Sequence, residues 1–158
     1  MNNVRALALV VLAVTICSSI VSAEPLIIAG SCISNTLSLN SEPADVLERW
    51  GKPDRSTLLS KNTIEYSYDK YGLSFTVTRL NDNSKFITTI TIESSLYRTP
   101  NGNTIGSDIS GFLDEFGDDY EFTQCSDGYV VEWRSKGIMV AVERDGRIVM
   151  ITIFRSLL

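Results

Sequence analysis

The sequence predicts an α+β fold: two tandem helix-plus-antiparallel-sheet repeats sharing one sheet, with both helices on one face. Three observations carry this. A short amphipathic block occurs twice, each copy ends in glycine, and each is followed by segments in which apolar residues alternate with polar ones.

The chain has 158 residues, a length that fits one domain. Residues 1–23 read as a secretory signal. Arg5 supplies the positive start, residues 6–20 are almost wholly apolar, and Val21-Ser22-Ala23 places small residues at the cleavage position. The expected location is therefore periplasmic or secreted. A second cleavage reading is a lipoprotein anchored at Cys32, because Ile28-Ala29-Gly30-Ser31-Cys32 has the outline of a lipidation signal. Glu24 and Ala29 depart from that pattern. Residues 24–38 form an N-terminal extension, 39–99 the first repeat and 104–158 the second.

The repeats align without a gap over the helical block. LNSEPADVLERWG at 39–51 lies over IGSDISGFLDEFG at 105–117. Ser41 and Ser107 are expected to cap the helices by accepting from free amides. Glu42 and Asp108 then sit at the positive end of each dipole. Val46, Leu47 and Trp50 form one apolar stripe; Ile109, Phe112, Leu113 and Phe116 form the other. Gly51 and Gly117 suit the backbone beyond the last helical turn.

After each helix the period becomes two. Ile64, Tyr66 and Tyr68 alternate with polar residues, as do Leu73, Phe75 and Val77, then Ile90 and Ile92. In the second copy Tyr129, Val131 and Trp133 alternate, then Ile138, Val140 and Val142, then Val149, Ile151 and Ile153. Tyr71-Gly72, Lys136-Gly137 and Asp145-Gly146 break the runs, and Asp-Gly between strands is a strong hairpin signal. Asn81-Asp82-Asn83-Ser84 in the first copy becomes the shorter Asp145-Gly146 in the second. Alternation of this kind gives a sheet one dry and one wet face.

The wet face supplies the candidate binding residues. They are Thr76, Thr78, Thr89 and Thr91 in the first copy, and Glu132, Arg134, Met139, Met150 and Phe154 in the second. An apolar spot of Met139, Met150 and Phe154 inside a polar rim is how a protein-binding surface is composed. The alternative is that the extension, with Leu26, Ile27 and Ile28, covers this corner.

VLERWGKPDRS followed by IEYSYDKYGLSFTV resembles a widespread group of exported bacterial domains with the fold of the β-lactamase inhibitory protein. That group includes single-copy lipoproteins of the outer-membrane assembly machinery. The resemblance rests on Val46, Leu47, Gly51, Pro53, Tyr66, Tyr68, Gly72, Leu73 and Phe75, then Ile90 and Ile92. The second copy keeps Gly117, Trp133 and Gly137 but lacks the proline. The resemblance implies helix-plus-sheet units in tandem and a protein-binding role. No inhibitory loop can be matched, so inhibition of a β-lactamase does not carry over.

The chemistry of the chain excludes several classes. It has no histidine, which removes Ser-His-Asp and Cys-His catalysis and His-ligated zinc. There is no phosphate-binding or dinucleotide motif, and no cofactor is expected. Cys32 and Cys125 remain after signal cleavage and are expected to pair in an oxidising compartment, a bond of roughly 4 kcal/mol for so long a loop. The acidic run Asp114 to Glu121 lacks calcium-loop spacing and reads as a solvated helix end. A formal charge of −5, deepened by loss of Arg5, argues against nucleic acid. The expected function is a non-catalytic, exported binding module whose partner is a protein in the cell envelope or outside the cell. The alternative is a small-ligand or lipid carrier, which would need a cavity under the sheet.

Overall fold

A computed structural model describes residues 26–33 and 37–156. The expected leader lies outside the described residues. The elements, in chain order, begin with three two-residue strands, β1 (Ile27–Ile28), β2 (Cys32–Ile33) and β3 (Leu37–Ser38). Helix α1 (Pro43–Trp50) precedes β4 (Arg55–Ser60), β5 (Thr63–Tyr68), β6 (Leu73–Arg79) and β7 (Lys85–Ile92). Helix α2 (Ile109–Phe116) precedes β8 (Glu121–Gln124), β9 (Gly128–Trp133), β10 (Ile138–Glu143) and β11 (Ile148–Phe154).

The long strands form one eight-stranded sheet in the order β4-β5-β6-β7-β11-β10-β9-β8. All its pairs are antiparallel. Each half of the chain gives four consecutive strands, and the halves meet at their last strands. At that seam Thr91 lies opposite Thr152, and their hydroxyl oxygens are 3.4 Å apart. Both halves carry a register break at the same place. It falls at Thr76/Val77 against β7 in one and at Ala141/Val142 against β11 in the other. An extra residue sits at each break and bends its strand. This shifts one apolar position: Ile148, not Val149, is buried with Ile151 and Ile153.

On the dry face two rows of side chains cross the seam. One runs Trp133, Ile138, Ile153, Ile90, Phe75, Tyr66; the other runs Val131, Val140, Ile151, Ile92, Leu73, Tyr68. Both helices pack here. Trp50 of α1 stacks on Phe75 at 5.2 Å between ring centroids, and Phe116 of α2 on Trp133 at 5.6 Å. Each helix end is also tied to the sheet by a side-chain hydrogen bond. Tyr68 Oη donates to the Gly51 carbonyl at 2.9 Å, and Trp133 Nε1 donates to the Gly117 carbonyl at 2.7 Å. Gly51 and Gly117 have φ of 77° and 78°, where a side chain would be strained.

The caps differ from expectation by one residue. Glu42 caps α1, with its amide donating to Asp45 Oδ2 at 3.0 Å. Asp108 caps α2 and accepts from the Ser110 amide at 2.9 Å. The Ser110 hydroxyl, and after it the Ser110 amide, donate to Asp108 Oδ1 and hold its carboxyl below the ordinary value. Ser41 and Ser107 bond backwards instead, accepting from the amides of Ser38 and Thr104. Strand pairing of Ser41 and Ser107 carbonyls with the Ile87 and Ile148 amides draws both serines toward the sheet and leaves the cap position to the acid that follows.

The extension packs on the helix side. Ile27, Ile33 and Leu37, with Leu39 just beyond them, join the core that contains Val46, Phe112 and the dry-face isoleucines. Backbone bonds of the extension reach Arg98 and Gly137, and Asn40 just after it bonds Ile87. The described part of the extension therefore belongs to the interior layer, and the alternative in which it covers the outer face is set aside.

Candidate functional site

The register places the outer-face residues in rows. The middle row reads Glu121, Glu132, Met139, Thr152, Thr91, Ser74, Ser67 from the β8 edge inward and across the seam. Beside it lie Val130, Ala141 and Met150 on one side, and Phe154, Thr89 and Thr76 on the other. Met139, Met150 and Phe154 thus surround Thr152, which is 5% exposed. All three are themselves half-buried. Thr78 sits further out along β6, with its hydroxyl 3.2 Å from that of Thr88. Arg134 departs from expectation: it lies in the helical turn after β9 rather than on the strand. From there its guanidinium reaches Glu121 at 2.9 Å and Glu132 at 3.5 Å. Two carboxylates that face each other across β8 and β9 repel, and Arg134 compensates both. This arrangement offers shape, apolar contact and hydrogen-bonding hydroxyls; it brings no nucleophile and base together.

Several surface features escaped the sequence reading. Strands β4 and β8 were not foreseen. They form the sheet's two edges and every residue in them is exposed. Leu58 and Leu59 of β4 are 69% and 53% exposed, and Phe122 of β8 is 55% exposed. Such strands carry no inside–outside alternation, so the periodic signal is missing. The doubled leucine in an otherwise polar segment was the one available sign. A cleft of about 100 Å³ also lies on the helix side, lined by Lys61, Ile64, Tyr66, Val77, Arg79 and Lys85 together with Asn62.

The expected cysteine pair is not formed. Cys125 is a free thiol, exposed just beyond β8, with its sulfur 3.9 Å from the Thr123 carbonyl oxygen. Cys32 is buried in β2. One belongs to the small sheet in the core layer and the other follows an edge strand of the large sheet. The acidic run resolves into local roles. Glu115 Oε2 accepts from Thr99 and from Asn103 Nδ2, clamping the loop before α2. Asp119 accepts from Ser135 at 3.3 Å.

No family model matches the chain, and no curated protein matches it. Solved structures do. An extracellular protein containing an SCP domain from Bacillus anthracis superposes with a TM-score of 0.51 at 9% identity, over 82% of this chain and 47% of that one. A DUF4309 family protein from Bacillus subtilis gives 0.47 at 12% identity, over 73% and 78%. A cysteine-rich secretory protein from Staphylococcus aureus gives 0.47 at 7% identity, over 81% and 48%. The chain spans about half the length of the Bacillus anthracis protein it matches. At 9% identity the likeness to the Bacillus anthracis protein is one of fold alone.

Proposed function

We propose that this chain is an exported, non-catalytic protein-binding module made of two duplicated units, akin to the β-lactamase inhibitory protein fold group, and that it holds its partner on the outer sheet face. The observation that carries the reading is the cluster of Met139, Met150 and Phe154 around Thr152, on the side away from the helices, bordered by Glu132, Arg134 and the threonines. Apolar side chains inside a polar border match the composition of binding surfaces. The duplication rests on the mirrored strand order, the matching register breaks and the paired Tyr68 and Trp133 bonds.

Export rests on the leader pattern and agrees with the extracellular description of the Bacillus anthracis neighbour. Among the described residues no helix is long and apolar enough to cross a membrane. Burial of Cys32, and of Ile27 upstream of it, weighs against lipidation at Cys32, because that cleavage would remove a strand packed in the core. A carrier would need an enclosed cavity between helices and sheet, and Trp50, Phe75, Phe112 and Trp133 fill that layer, leaving on this side an open cleft of about 100 Å³ beyond α1.

The test replaces Met150 and Phe154 together by serine, then compares partner recovery from envelope extract and the melting temperature with those of the parent. Recovery should be lost while the melting temperature moves by no more than about 5 °C. A large thermal drop would make these residues core and remove the proposed surface.

A further inference from the structure

The cleft on the helix side has a composition unlike the rest of the molecule. Its floor is apolar: Ile64, Tyr66 and Val77 lie next to one another across β5 and β6, on the face that the helices cover elsewhere. Helix α1 stacks over Phe75, nearer the seam, and leaves Ile64 and Tyr66 half-buried. Three cations stand around this floor. Lys61 lies in the turn between β4 and β5, while Arg79 and Lys85 face each other at the ends of β6 and β7. Among the described residues no carboxylate lines the cleft. Among the described residues the ion pairs involve Arg55, Arg134 and Arg147, and none of these three cations. Arg79 has only a long hydrogen bond, 3.4 Å, to Asn62 Oδ1. Three neighbouring positive charges therefore go unneutralised in a chain of net charge −5.

The other half of the molecule shows that the fold does not impose this. The place corresponding to Val77 and Arg79 holds Val142 and Arg144, which lie beside Asp127, Glu143 and Asp145. Arg144 is engaged there with the Ser126 carbonyl, and the neighbouring Arg147 pairs with Asp145 at 3.4 Å. The short Asp145-Gly146 turn supplies no counterpart to Lys85. The longer turn of the first half is what brings that lysine to the rim.

We propose that this cleft binds a carboxylate with a short aliphatic tail. The tail lies on Ile64, Tyr66 and Val77, and the carboxylate meets Arg79 and Lys85 at the mouth, with Lys61 adding to the field. Each half of the ligand answers one half of the site: burial of the tail removes apolar surface from water, and a guanidinium matches a carboxylate in a two-point bond. The size limits the tail. An apolar cavity of about 150 Å³ takes benzene, so about 100 Å³ suits a chain of a few carbons. This site lies on the opposite face from Met150 and Phe154 and stands apart from the proposed protein-binding role.

Calorimetric titration of the whole mature protein with hexanoate, acetate and hexylamine tests the assignment. Hexanoate should bind saturably and more weakly as salt is raised, while acetate, which lacks the tail, and hexylamine, which reverses the charge, should not. Replacing Arg79 and Lys85 together by glutamine should weaken hexanoate at least about tenfold. Both side chains are exposed, so an unchanged melting temperature should accompany the loss. The Met150→Ser, Phe154→Ser protein should bind hexanoate as the parent does. Absence of hexanoate binding, equal binding of hexylamine, or undiminished binding by the glutamine variant would overturn the proposal.

Discussion

Two side chains perform the same task with different chemistry. Tyr68 and Trp133 each run from the sheet to the carbonyl of the glycine that ends a helix. A phenol can donate that bond only while neutral, whereas an indole donates at any ordinary pH. Burial pushes the Tyr68 phenol above its usual value of 10.0. The bond's contribution is therefore complete below the unfolded phenol's pKa and is lost as pH rises through the higher folded value. Tyr68→Phe should cost about 1 kcal/mol at neutral pH and flatten the alkaline loss of stability, read from denaturant midpoints between neutral and strongly alkaline pH. Some slope should remain, because burial raises Tyr97 and Tyr129 in the same direction. An unchanged slope in the variant would mean that the phenol's ionisation is not coupled to folding. The glycines, the aromatic strand residues and the turn glycines were all legible as sequence. The caps were displaced because a serine and an acid stood side by side, and strand pairing of the serine decided between them.

At the scale of elements, what was legible follows from what each element buries. The six strands with a covered face announced themselves by alternation, since every second residue meets the helices. Strands β4 and β8 have one hydrogen-bonded neighbour each and no layer over them, so nothing in their sequences is forced to alternate. The edge at β8 is further burdened by Glu121 facing Glu132, which Arg134 holds in check. Arg134→Ala should loosen that edge without touching the core. Amide exchange at residues 121–124 should quicken, and the melting temperature should fall by no more than about 5 °C, because exposed ion pairs are worth about 1 kcal/mol or less. Unaltered exchange there would mean that strand pairing alone secures β8. The extension shows the opposite failing of pattern reading: its strands are two residues long, too short for any period, and only the core they fill reveals their place.

Across the whole molecule, the likeness of two stretches of the chain was legible in the sequence, but the way the halves join was not. Alternation says which face is dry; it does not say which strand meets which. The candidate residues chosen from the sequence lie on strands of the outer face, except Arg134, which lies in the turn after β9, while the cationic cleft was hidden because its members come from three separate turns and strand ends. The join itself has a consequence for how such a molecule is held together. Thr91 and Thr152 occupy the same position in their respective halves, and they meet each other. A contact between a strand and its own counterpart is self-complementary, the kind a symmetric homodimer makes. The connection between β7 and α2 then acts as a tether that fixes the effective concentration of one half for the other. Cutting the chain within that connection, at residues 100–102, should leave fragments that reassemble, with a melting temperature that climbs with protein concentration where the intact chain's does not. A single half of this kind, released from its tether, would find in another copy of itself the partner that the intact chain carries permanently.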